Sequence, residues 1–406
     1  MSVSELRTQF PILSRSVYGK PLVYLDNAAS AQRPLAVTRL YERLSLEENA
    51  NIHRAVHHLA GLATDAYEGA REAVRAFLNA ASREEIVFTS GATAAINLIA
   101  FSFGEAFVSE GDEVLVSVEE HHSNIVPWQM LCERKKAILK VLDIRENGTL
   151  AVDELEKRVS ERTKIVAISH ISNVLGLVNP VSEIIRICHK KGVPVLVDGA
   201  QGIVHQDVDV QEMDCDFYVF SGHKLYAATG TGVLYGKKKW LDAMPPYMGG
   251  GEMIASVSFN GTTYAPLPGK FEAGTQNFNA VPTLVPAIQV VREMRSDASV
   301  QDEQQSVLDF VYAKLSEDER IILFGTDASC KIPLFSFAVK GAHHEDLALI
   351  LDKMGIALRS GQMCAEPLMD RLGVTGLLRA SFAPYNTLEE AEYFIKCLNK
   401  AINMLV

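Results

Sequence analysis

Two short apolar runs end on residues that could do chemistry side by side. Val193-Pro194-Val195-Leu196-Val197 delivers Asp198, followed by Gly199-Ala200-Gln201, and Phe217-Tyr218-Val219-Phe220 delivers Ser221-Gly222-His223-Lys224. A carboxylate and an amine at neighbouring strand ends can be a plain ion pair. They can also be two halves of a pyridoxal-phosphate (PLP) site. A lysine amine forms a Schiff base with an aldehyde cofactor, and a carboxylate beside the pyridine nitrogen keeps that nitrogen protonated, so the ring takes up electrons. Such a cofactor needs a cup for its phosphate. Ser90-Gly91-Ala92-Thr93 lies between a strand-like run and a helical stretch from Ala94 to Phe103. Free amides at a helix N-terminus hold phosphate well, and Ser221 and His223 could complete the cup. The same Ser and Thr fit an ordinary helix cap. His121, in Glu119-Glu120-His121-His122, follows the run Asp112–Val118 to the same edge. There an imidazole could stack on a cofactor and exchange protons near neutral pH, or simply face solvent.

Both runs belong to a longer alternation. From about residue 20 to 260, short runs rich in β-branched residues (Glu85–Thr89, Asp112–Val118, Ile165–Ser169, Val193–Val197, Phe217–Phe220, Gly232–Tyr235) alternate with amphipathic stretches such as Ala94–Phe103 and Pro180–Lys191. Continuous apolar runs of this length fit strands buried on both faces. Their alternation with helical spacing predicts a mainly parallel α/β sheet, whose ligands sit beyond the C-terminal strand ends. Near 245–270 the texture changes: Pro245-Pro246, Gly249-Gly250-Gly251, Pro266 and Pro268 predict turns. A long helical region from about Val281 to Leu315, then strand-like runs at Leu334–Val339 and Ile356–Arg359, predict a smaller α/β unit. We divide the chain into a large domain over 21–262 and a small C-terminal domain over 263–406. Residues 1–20, with a helix over about Val3 to Gln9, are expected to pack on the small domain.

Composition narrows the function. Acidic residues (50) outnumber basic ones (39), giving a net charge of −11, which argues against nucleic acid or an anionic membrane as main partner. No apolar run approaches a membrane span, and the N-terminus carries no secretory pattern. The six cysteines show no paired spacing, as expected of free thiols in the cytoplasm. His53, His57 and His58 have i, i+4 spacing that could bind a metal on one helix face, but no metal motif accompanies them, and we expect a rim or surface role. Lys237-Lys238-Lys239 is read as a solvated turn.

The stretches VLVDGAQ, DFYVFSGHKLY, RSGQMCAEPLM and LLRASFAPYNT, in that order, resemble the cysteine desulfurases of the class V aminotransferase group, most of all the group II members of the Suf and Csd types. The resemblance runs from about Leu22 to Thr387. It implies PLP fold type I and conversion of L-cysteine to L-alanine with sulfur left as a persulfide on Cys364, supplying iron–sulfur cluster assembly or a related route. It also implies residue roles. Lys224 would bind PLP and act as base, Asp198 would meet the pyridine nitrogen, Gln201 the ring hydroxyl, and His121 would stack on the ring and join the catalysis. Thr93, Ser221 and His223 would hold the phosphate. Thr275 would reach the phosphate of the partner subunit, which implies a homodimer. Asn173 would lie beside ring and substrate. Arg379 would clamp the substrate carboxylate with its bidentate fork, and Arg359 would line the substrate site. A small sulfur-acceptor protein of the SufE or CsdE type is the implied partner.

The sequence departs from that pattern in places. Ala92 and Ala94 stand where Gly-Thr-Thr-Glu is frequent, Ala227-Ala228 where Gly-Pro is usual, Gln276 where Pro is common, and Gln362-Met363 where His is frequent. Beside desulfuration of cysteine, with selenocysteine as a further substrate, two readings stand: another PLP reaction that uses Lys224 and Asp198 without Cys364, and a slow scaffold that binds an assembly partner. The presence of lysine, aspartate, arginine and cysteine together favours the first. Cys364 lies in a loop-like context, whereas the other five cysteines fall in regular patterns and are assigned to structure.

Overall fold

The computed structural model describes residues 3–406. Seven runs form one sheet: β1 (Ile86–Thr89), β2 (Glu113–Ser117), β3 (Ile138–Leu142), β4 (Thr163–Ser169), β5 (Val195–Asp198), β6 (Phe217–Ser221) and β7 (Gly232–Gly236). Their spatial order is β1-β7-β6-β5-β4-β2-β3, and β7 alone runs against the rest. This is the mainly parallel α/β sheet that the alternation predicts.

The pleat explains why the runs are apolar throughout. Successive side chains point to opposite faces, and here both faces are cores. Leu115, Val166, Ile168, Val195, Val197, Tyr218 and Phe220 feed one core. Their chain neighbours Val114, Val116, Ile165, Ala167, Leu196, Phe217 and Val219 feed the other. Each fully buried side chain of this size stabilises by about 1.5–3 kcal/mol. Except in the edge strand β3, which carries Lys140 at its centre, polarity returns only near the strand ends. The register sets Ser169 opposite Asp198 and places Gly232 between Thr89 and Ser221, so the chemical groups emerge in one row.

A second, antiparallel sheet holds β8 (Ile321–Phe324), β9 (Leu334–Val339), β10 (Arg359–Gly361) and β11 (Leu377–Ser381) in the order β8-β9-β11-β10. Helices Ala298–Glu317, His344–Lys353 and Leu388–Leu405 contribute to its core. The N-terminal helix Val3–Thr8 is tied nearby, because Arg7 donates to the Tyr385 carbonyl at 2.6 Å and to Glu390 at 2.8 Å. Val23–Tyr24 pairs in parallel with Ile356–Ala357, and Asp26 bridges to Ser381.

Three sequence expectations change. The helical region Val281 to Leu315 is two helices, Leu284–Ser296 and Ala298–Glu317, because Asp297 is extended and caps the second by accepting from the Ser299 amide. His53 and His57 share no helix face. His53 lies ahead of helix His58–Leu78 with φ 68° and meets Glu68 at 3.2 Å, while His57 caps the helix through Nδ1. Lys237 is not a solvated turn: its Nζ contacts Asp214 at 2.5 Å and the buried Asp216 at 3.6 Å, and a short helix starts at Lys238.

Candidate active site

The row of strand ends opens on a cavity of about 530 Å³. β5 brings Asp198 and the following Gln201, β6 brings Ser221 and the following His223 and Lys224, and the segment after β2 brings His121. Thr93 comes from the helix Ala92–Phe107, Asn173 from the loop after β4, and Arg359, Cys364 and Arg379 from the second sheet and its loop. Twelve residues were singled out from the sequence, and only Thr275 is absent from this cavity; it lies exposed on a turn beside Gly274, whose φ is 81°.

The turn expected to cup a phosphate follows from a close approach of two backbones. Gly91, with φ 156°, begins the helix, and a Cβ on Gly232 of β7 would stand 2.3 Å from the Gly91 Cα. The Ala92 amide donates to Ser221 Oγ at 2.8 Å. The next amides of the first turn, Thr93 and Ala94, have no acceptor within the helix. Thr93 Oγ1 and Ser123 Oγ lie 2.7 Å apart, and His223 Nδ1 lies 3.3 Å from Ser30 Oγ. These donors around a small-residue turn fit a phosphate.

The electrostatics follow from burial. Asp198 is 6% exposed and accepts the Ala200 amide at 3.0 Å. Burial raises its pKa, against the pull of Lys224. Burial lowers the pKa of Lys224, with Arg379 adding to the effect and Asp198 and Cys364 opposing it. Its Nζ makes no hydrogen bond among the described residues, which leaves the amine free to meet an aldehyde. Burial, then Lys224, His122 and Arg379, push His121 down to about 4, so its ring is neutral at physiological pH. Its Nδ1 accepts the Ser123 amide at 3.1 Å. Gln201 Nε2 donates to the Ala28 carbonyl at 2.7 Å, which fixes the amide at the cavity wall.

Arg379 is 3% exposed. One Nη donates to the Asn173 carbonyl at 2.8 Å and the other lies 3.4 Å from Asp26. Its Nε is buried without a partner among the described residues. A guanidinium held this way beside a cavity suits a carboxylate ligand. Asp26 also pairs with Arg359 at 2.7 Å. Sequence reasoning missed Asp26, which arrives from the N-terminal segment, and His122, whose backbone and ring hold the Cys364 loop.

Cys364 is the exposed cysteine of the six. Burial pushes Cys132 up to about 11 and Cys188 up to about 12, and it raises Cys215 and Cys330 as well. In all four the shift favours the protonated, less reactive thiol. Two sequence departures have structural uses. Gln276 Nε2 donates to the carbonyls of Glu272 (2.6 Å) and Gly274 (3.1 Å), bracing the turn without a proline. The Ala228 amide donates to Thr283 Oγ1 at 3.1 Å, a bond that proline could not make.

The family profile described as aminotransferase class-V matches residues 23–394. The chain is 45% identical over 405 residues to a probable cysteine desulfurase of Vibrio cholerae serotype O1, covering 100% of both chains. It is 46% identical to a cysteine desulfurase of Enterobacter sp., covering 99% of both. Among solved structures, it superposes with a TM-score of 0.91 and 38% identity on the cysteine desulfurase CsdA (S-sulfonic acid) from Escherichia coli, over 100% of each chain. A cysteine desulfurase from Thermococcus onnurineus NA1 in its apo form gives a TM-score of 0.92 and 33% identity, over 99% of this chain and 98% of that one.

Proposed function

The chain belongs to the class V aminotransferase family, and within it we propose a PLP-dependent cysteine desulfurase that turns L-cysteine into L-alanine and leaves the sulfur as a persulfide on Cys364. One observation carries the reading: the one exposed cysteine lies in the same cavity as a buried-end lysine, an aspartate and a guanidinium with a free N–H.

When bound, PLP supplies an aldehyde for amines and a ring that takes up electrons. Lys224 would hold its aldehyde carbon, Asp198 the pyridine nitrogen, Gln201 the ring hydroxyl, and Thr93, Ser221 and His223 the phosphate, with His121 against the ring. Arg379 binds the substrate carboxylate, and Asn173 and Arg359 wall the substrate. Asp26 pre-sets both guanidinium groups, so substrate meets an ordered fork. Lys224 Nζ, released to the neutral amine that burial favours, removes the Cα proton. The neutral His121 ring has a nitrogen able to take up a proton within the cavity. The Cys364 thiolate attacks the substrate sulfur. An S–S bond forms, the C–S bond breaks, and the carbon ends with a proton as alanine. The substrate's sulfur remains on Cys364, so atoms and electrons balance.

A homodimer accompanies this reading. Thr275 is exposed, and the hairpin Ile254–Ser258/Gly261–Tyr264 projects Val257 and Phe259 into solvent, surfaces that a second copy would cover. The exposed Cys364 suits delivery to a small acceptor protein of the SufE or CsdE type, in a cytoplasmic setting that keeps six thiols free. No helix among the described residues is long and apolar enough to cross a membrane.

Alanine and sulfide release from L-cysteine, with reductant, tests the proposal. Cys364→Ala is expected to keep the cofactor absorbance and lose sulfide release, while retaining part of its activity on selenocysteine, whose selenium leaves more readily. Undiminished cysteine activity in that variant would assign the protein to another PLP reaction.

A further inference from the structure

A second, small chamber of about 20 Å³ shares Ala28, Gln201 and Lys224 with the substrate cavity. Its other walls include His205, Tyr226 and Ser381. About 10–15 Å³ of such space holds one water, provided two or more polar groups line it. The polar groups are present. Tyr226 is 1% exposed, and its hydroxyl has no hydrogen-bond partner among the described residues. A buried hydroxyl left unpaired carries a desolvation cost, and one water in the chamber would satisfy it.

The chamber adjoins a path outward. An outer pocket of about 170 Å³ is lined by the same Val204, His205 and Tyr226, together with Arg295, Gln305 and Lys331. Arg295 reaches Asp207 at 2.9 Å and the Ile203 carbonyl at 2.6 Å through its two Nη atoms, but its buried Nε has no partner among the described residues. Tyr226 and Arg295, each with one buried polar atom that lacks a partner among the described residues, therefore line one pocket. His205 stands between the two spaces as well. Burial and Arg295 hold its ring down at about 4, so at neutral pH it is uncharged, with one nitrogen to accept a proton and one N–H to donate.

We propose that the two spaces form a water-bearing passage, with Tyr226 and His205 at its narrowest point, through which Lys224 exchanges its proton with solvent. The inference rests on Lys224 acting as base in the proposed reaction. A proton gained at Lys224 Nζ passes to the chamber water, from there through the Tyr226 hydroxyl or the His205 ring, and out by the waters of the outer pocket. Only N–H and O–H bonds change, and no oxidant or reductant takes part. A route apart from the substrate cavity keeps this exchange available while substrate and cofactor occupy that cavity. Tyr226 acts on Lys224 only through the chamber water: it holds that water in place and offers one of the two groups that can hand the proton on.

Tyr226→Phe tests it and is expected to fold, because the ring still packs on Phe10 (5.9 Å) and Tyr385 (6.3 Å). In crystal structures of the holoenzyme, the wild type should show a water within hydrogen-bonding distance of Tyr226 Oη in the chamber, and the variant should lack it. With L-cysteine deuterated at Cα, the wild type should lose the label to solvent, and the variant should retain severalfold more of it in alanine. A dry chamber in the wild type, or equal label retention in both proteins, overturns the passage. If the wild type makes no alanine at all, the desulfurase reading fails, and the passage stands or falls on the crystallographic waters alone.

Discussion

The backbone amide of His122 donates to the Cys364 carbonyl at 2.7 Å, and the His122 ring accepts the Glu366 amide at 3.0 Å. Between them Met363 and Cys364 both sit at φ 55°, a left-handed conformation that costs an ordinary residue about 1–3 kcal/mol. Asn173 Nδ2, donating to the Met363 carbonyl at 2.9 Å, is a further tie on this turn. The loop is thus aimed by bonds from the cofactor side of the cavity. His122→Ala removes the Glu366 tie and leaves the backbone bond. The loss of one such hydrogen bond, about 1 kcal/mol, is expected to lower kcat about fivefold with cofactor content unchanged. Steady-state kinetics check it; a change confined to KM would count against a role in aiming the thiol.

Arg379→Lys is expected to act on substrate binding. The lysine keeps the charge but cannot reach the Asn173 carbonyl and a carboxylate together, because it lacks the planar fork. Hydrogen bonds to charged groups are worth about 1.5–3 kcal/mol, so KM for L-cysteine should rise about 10- to 150-fold, with the smaller change in kcat. An unchanged KM would remove Arg379 from the substrate site.

How much of this was legible depends on whether the determinant is local. Lys224 and Asp198 announce themselves, because each closes an apolar run that only a doubly buried strand explains. Asp26 gives no such signal: its contact with Arg379 spans 353 positions and exists only because Val23–Tyr24 pairs with Ile356–Ala357. The break at Asp297 was readable as a helix cap, yet helical periodicity on both sides masked it. The residues around Ala228 and Gln276 read as losses until the hydrogen bonds to Thr283 and Glu272 are seen.

Glu119 and Glu120 carry a pH dependence. Both are fully buried at the end of β2, with neither in an ion pair among the described residues, and Glu119 Oε2 lacks any partner. Burial raises Glu119 to about 7 and Glu120 to about 8 from an ordinary 4.5, partly offset by hydrogen bonds from Asn179 to the first and from Ser117 and Asn124 to the second. The folded chain therefore holds protons that the unfolded chain releases. Their contribution to stability is full below pH 4.5 and is lost as pH rises through 7 to 8. Glu119→Gln is expected to raise Tm at pH 8 by about 1–3 °C and to change it little at pH 5. Equal shifts at both pH values would show that the carboxyl does not titrate with unfolding.

Arg71 and Glu272 form a buried pair, 2% and 5% exposed, with Nη–O distances of 2.7 and 2.9 Å, and Arg71 also reaches Glu68 at 3.0 Å and the Ile86 carbonyl at 2.8 Å. Glu272 Oε1 also accepts the Phe88 amide at 2.7 Å, and Tyr67 donates to Oε2 at 3.2 Å. The pair thus ties the turn that carries Thr275 to β1, the strand that leads into the phosphate cup. Removing one partner leaves an uncompensated buried charge, which costs about 3–5 kcal/mol, whereas removing both for apolar residues of similar volume is close to neutral. Glu272→Leu should therefore lower stability by that amount and Arg71→Met with Glu272→Leu by much less, measured by urea unfolding. If the turn also positions Thr275 at a neighbouring subunit, both variants should weaken PLP retention, because a restored core does not restore the hydrogen bond to the Phe88 amide. A double variant that recovers stability and still loses PLP separates that positioning role from packing.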